Sequence, residues 1–151
     1  MTASLNYLIV DDDPTTIDGL RSLLGRLGAK SVKVAYTGAE AFKAINHAQN
    51  RFDCVIADVC MPDGNGLELL HRVRTATTVR GFRPDMCFVL MSGVASAEIA
   101  AIARRLDVSA FLVKPFTVHS LQMAISSARR RVFPLNHQRY AMLTPEALQV
   151  A

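Results

Sequence analysis

No apolar run in this 151-residue chain approaches the roughly 18–20 residues needed to cross a bilayer, although half of its residues are hydrophobic. The start, Met1-Thr-Ala-Ser-Leu-Asn6, has no basic region, and Asp11 to Asp13 follow too soon for a secretory signal. A soluble, cytoplasmic protein is expected. The three cysteines, Cys54, Cys60 and Cys87, are odd in number and lack the spacing of a zinc site. Cys54 and Cys87 lie inside apolar runs, where a thiol behaves as a small hydrophobe, so reduced thiols are expected. His47, His71, His119 and His137 are scattered without ligand spacing and read as ordinary surface or boundary residues. No internal repeat or low-complexity segment is visible. At this length the chain is one domain that can bury a core of its own.

The formal net charge of +4 is unevenly spread. Asp11, Asp12, Asp13, Asp18, Asp53, Asp58 and Asp63 gather in the first part, whereas seven Lys or Arg follow Ile99 against only Asp107 and Glu146. Such a basic region suits an acidic protein partner, a nucleic acid, or simply water. In Arg129-Arg130-Arg131 the cations also complement the end of a helix.

Five short apolar runs recur, at residues 6–10, 32–36, 54–57, 87–91 and 110–113, with helical spacing between them. Asp13-Pro14 opens a first helix, with Asp13 as cap and Ile17, Leu20, Leu24 and Leu27 along one face. Gly38 to Ala48 gives a second, with Ala41, Phe42 and Ile45 inward, and Leu67 to about Thr75 a third, burying Leu67, Leu70 and Val73. Ser96 to Leu106 gives a fourth, and Thr117 to about Val132 a fifth, capped by Thr117 and buried through Leu121, Ile125 and Ala128. Strands and helices in alternation, joined by short connections, imply an α/β fold with a parallel sheet covered on both faces. Residues 133–151, with Pro134, Asn136, Pro145 and few periodic apolars, read as a tail, a frayed extension or the start of a linker.

In open sheets of this kind the functional crevice lies at the carboxyl ends of the strands. Asp11, Asp12, Asp58, Ser92 and Lys114 all fall there. Carboxylates at that density repel one another unless a cation sits between them, and oxygen-only ligands suit Mg²⁺. With a hydroxyl and an ammonium alongside, the set reads as a site for handling phosphate. Asp13 fits the cap, which leaves Asp11 and Asp12 without a structural task, and no helix begins directly after Asp58 for it to cap. Asp63 and Asn65, flanked by Gly64 and Gly66, read as turn residues. Ser92 before Gly93 reads equally well as a turn hydroxyl. Lys114 at the end of an apolar strand is costly unless it meets negative charge, and Pro115 raises the chance of a cis bond aiming it, since proline cuts the usual trans preference. Phe111 reads as core, with an outward-facing ring near the site as the alternative, three residues before Lys114.

Taken in order, Val10-Asp-Asp-Asp-Pro14, Asp58-Val-Cys-Met-Pro-Asp-Gly-Asn-Gly66, Met91-Ser-Gly93 and Lys114-Pro-Phe116 resemble the receiver domain of two-component response regulators. The resemblance covers residues from about 5 to 132, setting a receiver domain at 1–132 apart from the segment 133–151. It implies a flavodoxin-like (βα)5 three-layer sandwich with strand order 2-1-3-4-5. It also implies that Asp58 is the phosphoacceptor, taking its phosphoryl group from a phosphohistidine on a sensor histidine kinase or phosphotransfer protein. Asp12, Asp58 and the backbone carbonyl of Cys60 would hold Mg²⁺, with Asp11 acting through a bound water. Lys114 and the metal would neutralise the phosphoryl group from opposite sides. Ser92 would swing in to bond a phosphoryl oxygen and Phe111 would reorient with it. The fourth helix, fifth strand and fifth helix would then present a changed surface to a downstream protein target or a fused output domain.

The chain departs from the commonest pattern at three places. Phe111 stands where tyrosine is frequent. Cys60 and Val94 occupy the two variable positions that tune access of water to the acyl phosphate; neither orients water well, which predicts slow self-dephosphorylation. No acidic residue follows Phe116 in the fifth helix, which weakens the expectation of the charge-paired dimer of regulators with winged-helix output and leaves the oligomeric state open. Two other functions compete. A Mg²⁺-dependent aspartyl phosphatase or phosphotransferase of similar fold would carry a second aspartate two residues after its nucleophile, where this chain has Cys60. Nucleic-acid binding through the basic fifth helix lacks a helix-turn-helix or an aromatic stacking platform.

Overall fold

The computed structural model describes residues 4–47, 49, 51–61, 64–76, 83–94 and 96–149. Five parallel strands form one sheet: β1 (Asn6–Val10), β2 (Ser31–Ala35), β3 (Cys54–Asp58), β4 (Cys87–Ser92) and β5 (Ala110–Val113). Their spatial order is β2-β1-β3-β4-β5, the flavodoxin-like order. The connecting helices are α1 (Pro14–Arg26), α2 (Gly38–Ile45), α3 (Gly66–Thr75), α4 (Ala97–Arg105) and α5 (Val118–Arg130).

Alternation along the strands divides the core in two. Leu8, Val10, Val55, Ala57, Phe88 and Leu90 face α2, α3 and α4, together with Ala41, Ile45, Leu67, Leu70, Val73, Ile99 and Ala103. Tyr7, Ile9, Cys54, Ile56, Val89 and Met91 face α1 and α5, meeting Ile17, Leu20, Leu24, Leu121, Ile125 and Ala128. Strands buried on both faces are apolar at every position, so they read as short continuous runs rather than as alternation.

The caps set where each helix begins. Asp13 accepts from the Thr15 backbone N–H at 3.1 Å and from the Thr16 hydroxyl at 3.0 Å, with Pro14 in the first turn. Thr117 and Ser120 form a reciprocal capping box at α5. Two of the boundaries that differ from the sequence reading lie around α2. β2 ends at Ala35, because Tyr36 already donates its N–H to Glu40 of α2 at 2.7 Å. α2 stops at Ile45 with Asn46 as its C-cap; Ala48 lies outside the described residues.

Within the segment read as a tail, a frayed extension or the start of a linker, the described residues 133–149 are packed on the domain. The chain forms α6 (His137–Ala141) and a 3₁₀ turn (Ala147–Gln149), which pack on α3 and bury Tyr140, Leu143 and Leu148 in the core. Few apolar residues are needed because polar contacts hold the segment in place. Asp107 accepts from the Tyr140 hydroxyl, from Arg139 and, at 3.0 Å, from Arg131. Asp107 is buried with φ 51°, at the left-handed position just past α4, which aspartate tolerates better than most residues. Burial first, and then the bond to Asp107, raise the pKa of the Tyr140 phenol.

Beneath this segment lies Arg74, wholly buried on α3. Its guanidinium donates to the backbone carbonyls of Leu106, Pro84, Met86 and Asp107 at 2.8–3.1 Å, and lies 4.9 Å from the Phe133 ring centre. Burial pulls its pKa down to about 10, so it stays charged at neutral pH. The planar fork satisfies four carbonyls that one ammonium could not reach together. Arg74→Lys is therefore expected to lower stability by about 3 kcal/mol, and Tyr140→Phe by about 1–2 kcal/mol, read as shifts in the urea midpoint.

Candidate functional site

The carboxyl ends of β1, β3 and β5 converge where the strand order switches sides. Asp11 directly follows β1, Asp58 is the last residue of β3, and Lys114 directly follows β5. The Lys114 ammonium lies 3.2 Å from a carboxylate oxygen of Asp11 and 3.2 Å from one of Asp58. Asp12 completes the group: one oxygen from each of Asp11, Asp12 and Asp58 lies within 4.8 Å of the others. Asp11 is fully buried, Asp58 is 7% exposed, and Asp12 is open to solvent. The Lys114–Pro115 peptide is cis.

Backbone groups fix the two buried carboxylates. Asp11 accepts from the Asp13 N–H at 2.9 Å, and Asp58 accepts from the Cys60 N–H at 3.3 Å. Gly66 is required here by space: a Cβ on it would sit 2.5 Å from the Asp58 carbonyl oxygen. Gly64, with φ +91°, turns the chain just before α3. Burial is the main cause that raises the Asp11 pKa; the Asp13 N–H opposes it, the Asp58 charge adds to it, and Lys114 opposes it. For Lys114 burial alone would lower the pKa, but attraction to Asp58 and Asp11 outweighs it and the shift is upward.

Three carboxylates against one ammonium leave two net negative charges in a partly enclosed pocket. All the side-chain donors are oxygen. This is an acidic pocket compatible with a hard divalent cation such as Mg²⁺.

Ser92, the last residue of β4, is fully buried beside this cluster. Its hydroxyl accepts from the Val94 N–H at 3.1 Å and donates to the Val94 carbonyl at 2.9 Å, while its own carbonyl accepts from the Lys114 N–H at 2.8 Å. Phe111 pairs in register with Leu90 and is half-buried against the α2–α3–α4 side of the core. Cys60 is exposed. Asp63 lies outside the described residues. Asn65, read as a turn residue, is the N-cap of α3, accepting from the Glu68 N–H at 2.8 Å and donating to the Leu148 carbonyl at 2.6 Å. The signal for the cap was Asn65 with Glu68 three residues on; nothing local signalled the bond to Leu148.

A doubly wound parallel sheet of this order, with paired carboxylates and a lysine at its switch point, defines the flavodoxin-like signalling class. The chain belongs to the response regulator receiver domain family, whose model matches residues 7–126. It is 32% identical over 130 residues to YesN of Bacillus subtilis, an uncharacterized transcriptional regulatory protein, covering 82% of this chain and 33% of that one. It is 34% identical over 150 residues to the virulence sensor protein BvgS of Bordetella bronchiseptica, covering 98% of this chain and 11% of that one. The chain thus spans a third or less of these relatives. Among solved structures, a CheY-like receiver domain protein of Methanospirillum hungatei superposes with a TM-score of 0.70 at 27% identity, covering 82% of this chain and 92% of that one. A receiver domain protein of Clostridium thermocellum gives 0.73 at 27% identity, covering 84% and 95%.

The raised pKa of Asp11 has a consequence for stability. A carboxyl whose folded pKa exceeds its unfolded one favours folding when protonated, and that contribution is lost as pH rises through the folded pKa. At neutral pH without divalent cations, Asp11→Asn is therefore expected to be more stable than the parent by on the order of 1 kcal/mol. The gain should vanish in acid, below the ordinary carboxylate range, as thermal unfolding across pH would reveal.

Proposed function

We propose that the chain accepts a phosphoryl group on Asp58 from a phosphohistidine of a sensor histidine kinase or a histidine phosphotransfer protein. In response it would alter the surface formed by α4, β5 and α5. The observation that carries this reading is the Lys114 ammonium held 3.2 Å from both Asp11 and Asp58. An anionic nucleophile can approach an anionic phosphoryl group only where the charge is neutralised. Mg²⁺, when bound by Asp12, Asp58 and the Cys60 carbonyl with Asp11 acting through a water, supplies further neutralisation of the phosphoryl oxygens.

The chain's own residues then divide the work. A carboxylate oxygen of Asp58 forms the bond to phosphorus as the bond from phosphorus to the donor imidazole breaks, giving an acyl phosphate and a free histidine. Lys114, shared beforehand between two carboxylates, turns to a phosphoryl oxygen. The Ser92 hydroxyl leaves the Val94 backbone for another, drawing the β4–α4 connection toward Asp58, and the Phe111 ring reorients with it. Val94, Val113 and Met123 are exposed apolar side chains on or beside β5 and its flanking elements, which suits docking by a downstream protein target or a fused output domain. Cys60 and Val94 present no side chain that orients water well, so the acyl phosphate should be long-lived. Cys60 also stands where an aspartyl phosphatase would need its second carboxylate, which disfavours turnover of an external substrate.

Incubation with acetyl phosphate and Mg²⁺, followed by intact mass, is expected to add one phosphoryl group to the wild type and none to Asp58→Asn or in EDTA. Lys114→Ala should react at least ~10-fold more slowly. A wild type that gains no adduct and also fails to bind beryllofluoride would overturn the proposal.

A further inference from the structure

The strand order places two of the three cysteines side by side. Cys54 opens β3 and Cys87 opens β4, and the two residues are partners in the β3–β4 register. Their side chains point to the same face of the sheet, and the sulfurs are 3.2 Å apart, within hydrogen-bonding distance of each other. Neighbouring strands are spaced about 4.8 Å, inside the range of Cα separations that disulfides bridge. Closing the bond requires the two sulfurs to approach by about 1 Å.

The pair is asymmetric. Cys54 is wholly buried between Tyr7 and Cys87, whereas Cys87 is partly exposed and lines a cavity of about 660 Å³ at the amino-terminal edge of the sheet. Arg129 of α5 lines the same cavity. A small neutral oxidant can therefore reach one sulfur and not the other.

We propose that Cys54 and Cys87 are a dithiol modification site, which a peroxide converts to a cross-strand disulfide with Cys87 as the attacking sulfur. The Cys87 thiolate attacks one oxygen of hydrogen peroxide; an S–O bond forms, the O–O bond breaks, and the departing hydroxide takes up the proton that Cys87 released, giving water. Cys87 is now a sulfenic acid, oxidised by two electrons. The Cys54 sulfur then attacks the Cys87 sulfur; the S–S bond forms, the S–O bond breaks, and the leaving hydroxide carries off the Cys54 proton as a second water. Two thiols and one peroxide thus give one disulfide and two waters. The direction of attack agrees with the acidities. The hydrogen bond between the two thiols, followed by the charges of Arg129 and Arg74, outweighs burial and lowers the Cys87 pKa, while the same bond and complete burial raise that of Cys54.

The test uses the Cys60→Ser chain, which keeps these two thiols alone. The reduced protein is exposed to hydrogen peroxide, quenched, unfolded in N-ethylmaleimide and weighed intact. The treated chain is expected to be lighter by two hydrogen atoms and to take up no maleimide, whereas the untreated chain takes up two equivalents, and dithiothreitol restores both sites. A treated chain that still takes up two maleimides, carries oxygen on both sulfurs, or becomes a disulfide-linked dimer would overturn the proposal. On the same background, Cys54→Ser should halt Cys87 at a sulfenic acid that dimedone captures, and Cys87→Ser should leave Cys54 unmodified. Capture at Cys54 instead would refute the assigned direction of attack.

Discussion

Crowding of like charge at one edge of the sheet is the constraint around which this molecule is built. The parallel strand order brings Asp11 and Asp58 to adjacent strand ends, with Asp12 beside them. Left alone, such a group would favour protonation or separation of the strands. Lys114 sits at the end of β5, two strands from β3, and its long side chain reaches back across the end of β4 to touch both buried carboxylates. A single cation thus links three strand ends, and the pocket retains a net negative charge compatible with a divalent cation.

Much of this was legible before any coordinates. The apolar runs are short and continuous because both faces of the sheet are covered, and each ends in a residue with a polar group to offer. Asp13 before Pro14 and Thr117 at the head of α5 were readable as caps because capping depends on neighbours within three residues. What escaped depends on partners far along the chain. Arg74 lies at inward spacing, four residues after Leu70 and seven after Leu67, but its charge argues for the surface, and its four carbonyl acceptors come from segments 10 to 33 positions away. Asp107 looks like a loop residue until Arg139 and Tyr140 are brought to it. The sequence after Phe133 is poor in apolar periodicity because ionic and hydroxyl contacts hold it, and hydrophobic spacing carries no information about those.

The same two strands carry unlike chemistry at their two ends. β3 begins at Cys54 and ends at Asp58, a run of about 13 Å. At the carboxyl end the surroundings are acidic and hold an ammonium; at the amino end they include Arg129 and a thiol pair. The cysteines were readable singly as small core residues, which they are. Their adjacency follows from β3 and β4 being neighbours in register, a property of the whole sheet and not of the spacing between residues 54 and 87.

The two halves of the core also close at different points along the chain. The side covered by α1 and α5 draws its buried residues from Leu5 to Ala128, so every one of them is present once α5 has formed. The side covered by α2, α3 and α4 also needs Tyr140, Leu143 and Leu148, and the cap of α3 at Asn65 is bonded to Leu148 itself. A chain emerging from the ribosome can therefore complete one layer while the other still exposes apolar surface, and that second layer is sealed by a contact spanning 83 positions.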